Sequence, residues 1–227
     1  MQTPKRRLTP RISVNKLAEY MVATPARRRG IIRDQKQPRD IIVARYSEVY
    51  AAVVDCLVHG NDVSRVYGRL EKLFNAVPRS TWDAQDKQLS AEALESFLSF
   101  VDDFDASAFT ARPAAENAPH MKLAGVDVSV KPDLLLYSGG DLAGAAKVYV
   151  SKLLPFDDKS GAYASVALHQ YLQGVLSAQR STPANCWVID VFARNLYFAP
   201  RAYKKKRADL EAACEEIAQR WDAVAIG

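Results

Sequence analysis

The chain has 227 residues, 48% of them hydrophobic, and a formal net charge of +5. That length and apolar content can bury a sizeable core without outside staples. The three cysteines, Cys56, Cys186 and Cys214, are odd in number and form no CxxC pair, which argues against a disulfide framework or a zinc site. No stretch approaches the roughly 20 apolar residues of a membrane span, and the N-terminus has no apolar signal core. A soluble, cytoplasmic chain with no membrane partner is expected.

Charge is unevenly spread. Residues 1–45 hold twelve of the 31 Lys and Arg but only three of the 26 acids. A basic arm of this kind suits a phosphate backbone or another acidic partner, and Arg27, Arg28 and Arg29 are its densest run. A solvated tail is the plainer alternative. Residues 1–10 show no pattern. Ser13 can cap a short helix in which Val14, Leu17, Tyr20 and Met21 share a face, ended by Thr24-Pro25. Ser13 to Met21 resembles the first helix of a helix-turn-helix, although no second helix follows cleanly before Pro38.

Residues 46–115 read as a helical region. Tyr46, Val49, Tyr50, Val53 and Leu57 repeat at helical spacing, as do Val63, Val66, Tyr67, Leu70, Phe74 and Val77, and again Leu94, Phe97, Leu98 and Val101. A loop is expected from Pro78 to Gln88, and residues 102–119, with Pro113 and Pro119, read as a connection.

From 116 to 227 the period changes. Val126, Val128 and Val130 alternate with polar residues as one strand, and Leu134 to Tyr137 and Ala145 to Val150 add two more. A helix from about Ser160 to Leu176 follows, then a strand over Cys186 to Phe192 and a hairpin return at Leu196 to Phe198. Tyr203 to Val224 closes the chain as an amphipathic helix. The fold class is α/β, a helical N-terminal half followed by a mixed β-sheet flanked by helices.

The most informative chemistry lies in Lys131-Pro132-Asp133, which opens one strand, and Lys147, inside the next strand beyond a Gly-rich turn. An aspartate and a lysine on neighbouring strands suit metal-assisted phosphodiester cleavage: the carboxylate holds a divalent cation and the ammonium stabilises charge at the attacked phosphate. Position 145 points to the same face as Lys147, and it is alanine.

These residues resemble the PD-(D/E)xK nuclease superfamily, over roughly residues 120–200. The resemblance implies a restriction-endonuclease-like core in which Pro132-Asp133 begins the second core strand and Lys147 lies on the third. Ala145 stands where the family carries a second acid. Members related to recombination exonucleases add a glutamine and a tyrosine on the following helix, where His169-Gln170-Tyr171-Leu172 falls, so Gln170 joins Asp133 and Lys147 as a catalytic candidate. Mg²⁺ or Mn²⁺ is the implied cofactor. One carboxylate holds Mg²⁺ poorly, so Asp127, which shares strand parity with Asp133, is the candidate second ligand. An ordinary solvent-facing strand residue is its plainer reading.

Helical wheels turn Glu48 and Glu19 away from their apolar stripes. Asp157 and Asp158 read as a helix entry rather than as ligands. The three histidines show no metal-ligand spacing, and no Ser/His/Asp arrangement or phosphate-cradling Gly loop is present. Arg201, Lys204, Lys205, Lys206 and Arg207 form a second basic cluster suited to backbone phosphates. The expected partner is nucleic acid, DNA ahead of RNA, with protein partners or self-association as further expectations. Two functions follow: a Mg²⁺-dependent nuclease, or a catalytically inactive nuclease-like scaffold or binding subunit of a nucleoprotein complex.

Overall fold

The structure is a computed structural model that describes residues 6–38, 45–103 and 106–225. Lys5, Arg39 and Asp40, counted in the basic arm, lie outside the described residues. In chain order the elements are β1 (Arg11–Ser13), α1 (Val14–Val22), α2 (Pro25–Lys36), α3 (Ser47–Val58), α4 (Ser64–Asn75), α5 (Thr81–Leu98), β2 (Thr110–Pro113), β3 (Met121–Leu123), β4 (Val126–Ser129), β5 (Leu134–Ser138), β6 (Asp141–Tyr149), α6 (Asp158–Gly174), β7 (Cys186–Asp190), β8 (Asn195–Phe198) and α7 (Tyr203–Trp221). Among the described residues no helix is long and apolar enough to cross a membrane.

Five strands form one mixed sheet in the order β2-β5-β6-β7-β8, with β6 antiparallel to β5 and parallel to β7. The parallel step needs a crossover, and α6 supplies it. Strand alternation then sorts side chains to two faces. Ala146, Val148, Trp187 and Ile189 pack with Val53, Leu94 and Phe97 of the α3–α5 layer. Ala145, Cys186 and Val188 pack on the other side with Leu17, Ile32, Leu168 and Ile217, from α1, α2, α6 and α7. The basic N-terminal segment therefore shares the core of residues 116–227 instead of standing apart from it.

The small residues of β6 permit this close packing. A Cβ on Gly144 would lie 2.1 Å from the Asn185 carbonyl oxygen, so only glycine fits there.

Several elements differ from expectation. The helix expected to end at Thr24-Pro25 does end there, and a second helix, α2, begins at Pro25, which pre-sets the first-turn φ while Thr24 caps it. The supposed loop up to Gln88 is mostly α5, started by Ser80, whose hydroxyl accepts the Asp83 amide. β2 lies inside the supposed connection and pairs with β5. The Val126 strand, β4, is not the neighbour of β5 in the large sheet. It is the centre of a small three-stranded sheet, parallel to β1 and antiparallel to β3. The turn at Lys131-Pro132 separates the two sheets.

Buried Lys36 ties the end of α2 to the end of α7. Its ammonium donates to the carbonyls of Trp221 (2.6 Å), Val224 (3.1 Å) and Asp222 (3.3 Å). These are orphan acceptors at the C-terminus of α7, where a cation also meets the negative end of the helix dipole.

Candidate functional site

Asp133 sits at the entry to β5 and is held to β6. Its amide donates to the Ala146 carbonyl at 2.9 Å, and its Oδ2 accepts the Val148 amide at 2.8 Å. Lys147 Nζ lies 3.7 Å from the same oxygen and donates to the Lys131 carbonyl at 2.7 Å. Lys131 adopts φ 44°, a left-handed conformation costly for a residue with a Cβ and further disfavoured before proline. This corner presents a carboxylate and a backbone carbonyl to one ammonium. The side chains of Lys147 and Asp133 are only 12% and 23% exposed.

Burial pushes the Asp133 carboxyl above its ordinary range; the Lys147 charge and the Val148 amide act in the opposite direction. Tyr50 of α3 belongs to the same neighbourhood. Burial raises its phenol, and the Asp133 charge adds to the effect, against a hydrogen bond with the Val150 backbone. Sequence reasoning counted Tyr50 only as part of an apolar stripe; its hydroxyl among aliphatic side chains was the available signal. Tyr149, two residues beyond Lys147 on the same face, stacks on Phe156 at 4.0 Å and donates to the Leu154 carbonyl. Burial raises its phenol too, and the charges of Asp190 and Glu19 push the same way.

The donor set does not fit the Mg²⁺ site that the resemblance implies. Ala145 is fully buried in the α6-facing core, so the second-acid position offers no oxygen. Asp127 lies on the small sheet, with Lys122 on its Oδ1 and its amide on the Pro10 carbonyl. The shared parity with Asp133 therefore carries no shared face, because the two residues belong to different sheets. Glu19 acts on Tyr149 by its charge, but its two oxygens are taken by Lys16 at 2.7 Å and Arg27 at 2.6 Å, a structural role. Glu48 pairs with Arg69 on the helical layer. Among the described residues, no group of three or more His, Cys, Asp or Glu is arranged to hold a metal ion.

Gln170 lies in the second half of α6. α6 begins just after the end of β6 and runs back along it, and the Thr182 amide beyond its far end reaches the Ala143 carbonyl. Ten residues from Ser160 to Gln170 advance the helix about 15 Å along its axis, toward the start of the strand. There its buried carboxamide oxygen has no hydrogen-bond partner among the described residues. Neighbouring His169 is structural. Arg207 donates to its Nδ1 at 3.1 Å, which places the ring proton on Nε2, facing the Ser181 carbonyl. Asp157 is the N-cap of α6 in a capping box with Ser160, the helix-entry role expected of it.

The predicted basic residues are partly spent within the fold. Arg27 bridges Glu19 and Asp34, and Arg28 binds the Tyr20 carbonyl and Glu216. Arg29 is exposed. Lys206 lies over the Tyr163 ring at 4.2 Å, while Lys204 and Lys205 remain exposed.

A further basic group, not singled out from sequence, lies on the small sheet next to the Asp133 corner. Arg11 and Lys122 flank Asp127 across the strands, and Arg11 donates to His120 at 3.0 Å. Burial lowers the His120 imidazole, helped by the charges of Arg11, Lys131 and Lys122 and opposed by Asp127. Three cations and one carboxylate thus act on His120.

The three thiols are buried and free, and burial pushes them up to about 11 (Cys56) and about 12 (Cys186 and Cys214), which leaves them inert.

No protein-family model matches this chain, and no curated protein matches it.

Proposed function

We propose that this chain is a catalytically silent, nuclease-like module that binds the phosphate backbone of nucleic acid, as a scaffold or binding subunit of a larger nucleoprotein complex. The observation that carries this reading is Ala145. It is sealed in the core two residues before Lys147, while Asp133 and Lys147 are each held by main chain as well as by their mutual ion pair. A restriction-endonuclease-like core is supported by the run β5, β6, α6, β7, with its antiparallel pair and its parallel crossover. Phosphate binding is supported by Arg11 and exposed Lys122 on the small sheet and by exposed Lys131, Lys204 and Lys205. Contacts of that kind release counterions, so affinity falls steeply with salt.

The test is binding of labelled DNA and RNA, single- and double-stranded, over a salt series with and without Mg²⁺. The expected outcome is salt-sensitive binding that weakens in the double variant R11E/K131E, persists in D133N, and leaves the strand uncut. Mg²⁺-dependent cleavage lost in both Asp133→Ala and Lys147→Ala would restore the hydrolase reading. No binding to any strand at low salt would reject the nucleic-acid reading altogether.

A further inference from the structure

The α3–α5 layer carries a surface that the nucleic-acid reading does not use. α4 packs on α3 and α5 and completes their layer with Val66 and Leu70. It also leaves an apolar stripe in the open: Tyr67 is 59% and Phe74 67% exposed, and Val77 just beyond is 87% exposed. Together with Leu98 and Ala91 on α5, Tyr67 and Phe74 line two confluent grooves of about 730 and 400 Å³ that meet at Phe74 and Glu95. Both walls show helical spacing, Tyr67, Leu70/Glu71 and Phe74 facing Ala91, Glu95 and Leu98.

The charge at the rim decides what fits. Glu71 and Glu95 flank Phe74 with no basic partner among the described residues, Glu92 is paired outward to Lys152, and Lys87 is neutralised by Asp83. An acidic rim repels a phosphate backbone. A second copy seated face to face would set one acidic rim against another. A groove this open and apolar, with few converging polar groups, is unlike a small-molecule site.

We infer that the α4–α5 groove docks an amphipathic helix of a protein partner, about three turns long, whose apolar stripe covers Tyr67 and Phe74 and whose flanking Lys or Arg residues meet Glu71 and Glu95. The inference stands whether or not the chain binds nucleic acid.

The experiment titrates isotope-labelled full-length protein with two synthetic helical peptides that share one leucine stripe, one flanked by lysines and the other by glutamates. The lysine peptide is expected to bind, to shift the amide signals of Phe74, Glu95 and Leu98, and to bind about tenfold more tightly than the glutamate peptide. The double variant E71K/E95K should reverse that preference, and F74S should weaken both peptides. These residues are at the surface, so melting temperature is expected to stay unchanged and serves as the control for folding. Equal affinity for the two peptides, an unchanged preference in E71K/E95K, or shifts confined to another face would overturn the inference. So would self-association in sedimentation that F74S abolishes, because the groove would then belong to a second copy.

Discussion

Lys147 Nζ stands 3.7 Å from Asp133 Oδ2, and the ammonium's short hydrogen bond runs to a backbone carbonyl instead, that of Lys131 at 2.7 Å. The carboxylate takes its own short bond from the Val148 amide. Each member of the pair is thus held by main chain as well as by the other, which makes the corner a stable fixture of the fold.

The raised Asp133 carboxyl has a consequence for stability. Its folded value lies above the ordinary 3.8, so the native state favours the protonated form. The stability linked to this group is fully present below about pH 3.8 and is lost as pH rises through the folded value. Asp133→Asn keeps an acceptor for the Val148 amide. Relative to wild type, the variant should therefore gain more stability in urea at about pH 7 than at about pH 3. An equal difference at both pH values would refute the assignment.

Restoring the missing acid should harm the fold without creating activity. Ala145 is fully buried among apolar neighbours, and a carboxylate there costs at least about 3 kcal/mol. The expected result for Ala145→Glu is a lowered urea midpoint and no cleavage of labelled DNA with Mg²⁺. A well-folded variant that cuts would show that the site needed only this group.

Lys36→Met should cost about 2–4 kcal/mol, because three carbonyls at the end of α7 lose the Lys36 ammonium as a donor inside the core. Amide exchange should quicken in the last turn of α7 ahead of the sheet. Exchange that quickens uniformly would argue against a local tie between α2 and α7.

Gly161→Ala tests the seat of α6. An added Cβ would lie 2.2 Å from Tyr197 Cγ, and the ring cannot swing aside freely because its hydroxyl donates to the Phe156 carbonyl at 2.6 Å. A loss of about 1–3 kcal/mol is expected by thermal unfolding. The same change in a Tyr197→Ala background should cost far less, since the pair is directly coupled.

The strands β5, β6, β7 and β8, the long helices α6 and α7 and the opposition of Asp133 to Lys147 were all legible in the sequence. Their periodicity is local, and a Gly-rich turn joins β5 to β6. The start of α5 was missed because Trp82 to Gln88 bury no side chain fully and carry no apolar stripe; the signal was Ser80 three residues before Asp83, a cap spacing. β2 was missed because Thr110 to Pro113 form a short edge strand ending in proline, where pattern is weakest.

What the sequence by itself determined was the set of segments, the absence of an acid at Ala145 and the charge carried by each element. Only the tertiary structure decided that β4 leaves the large sheet for β1, that Asp127 therefore lies with Lys122 rather than Asp133, and that Gln170 falls at the far end of α6. It alone decided that Arg27 and Arg28 are spent on Glu19, Asp34 and Glu216 while Tyr50 comes to Asp133. The reason is physical: a residue's period reports which way it points within its own segment, whereas strand neighbours and ion-pair partners are chosen by packing between segments far apart in the chain.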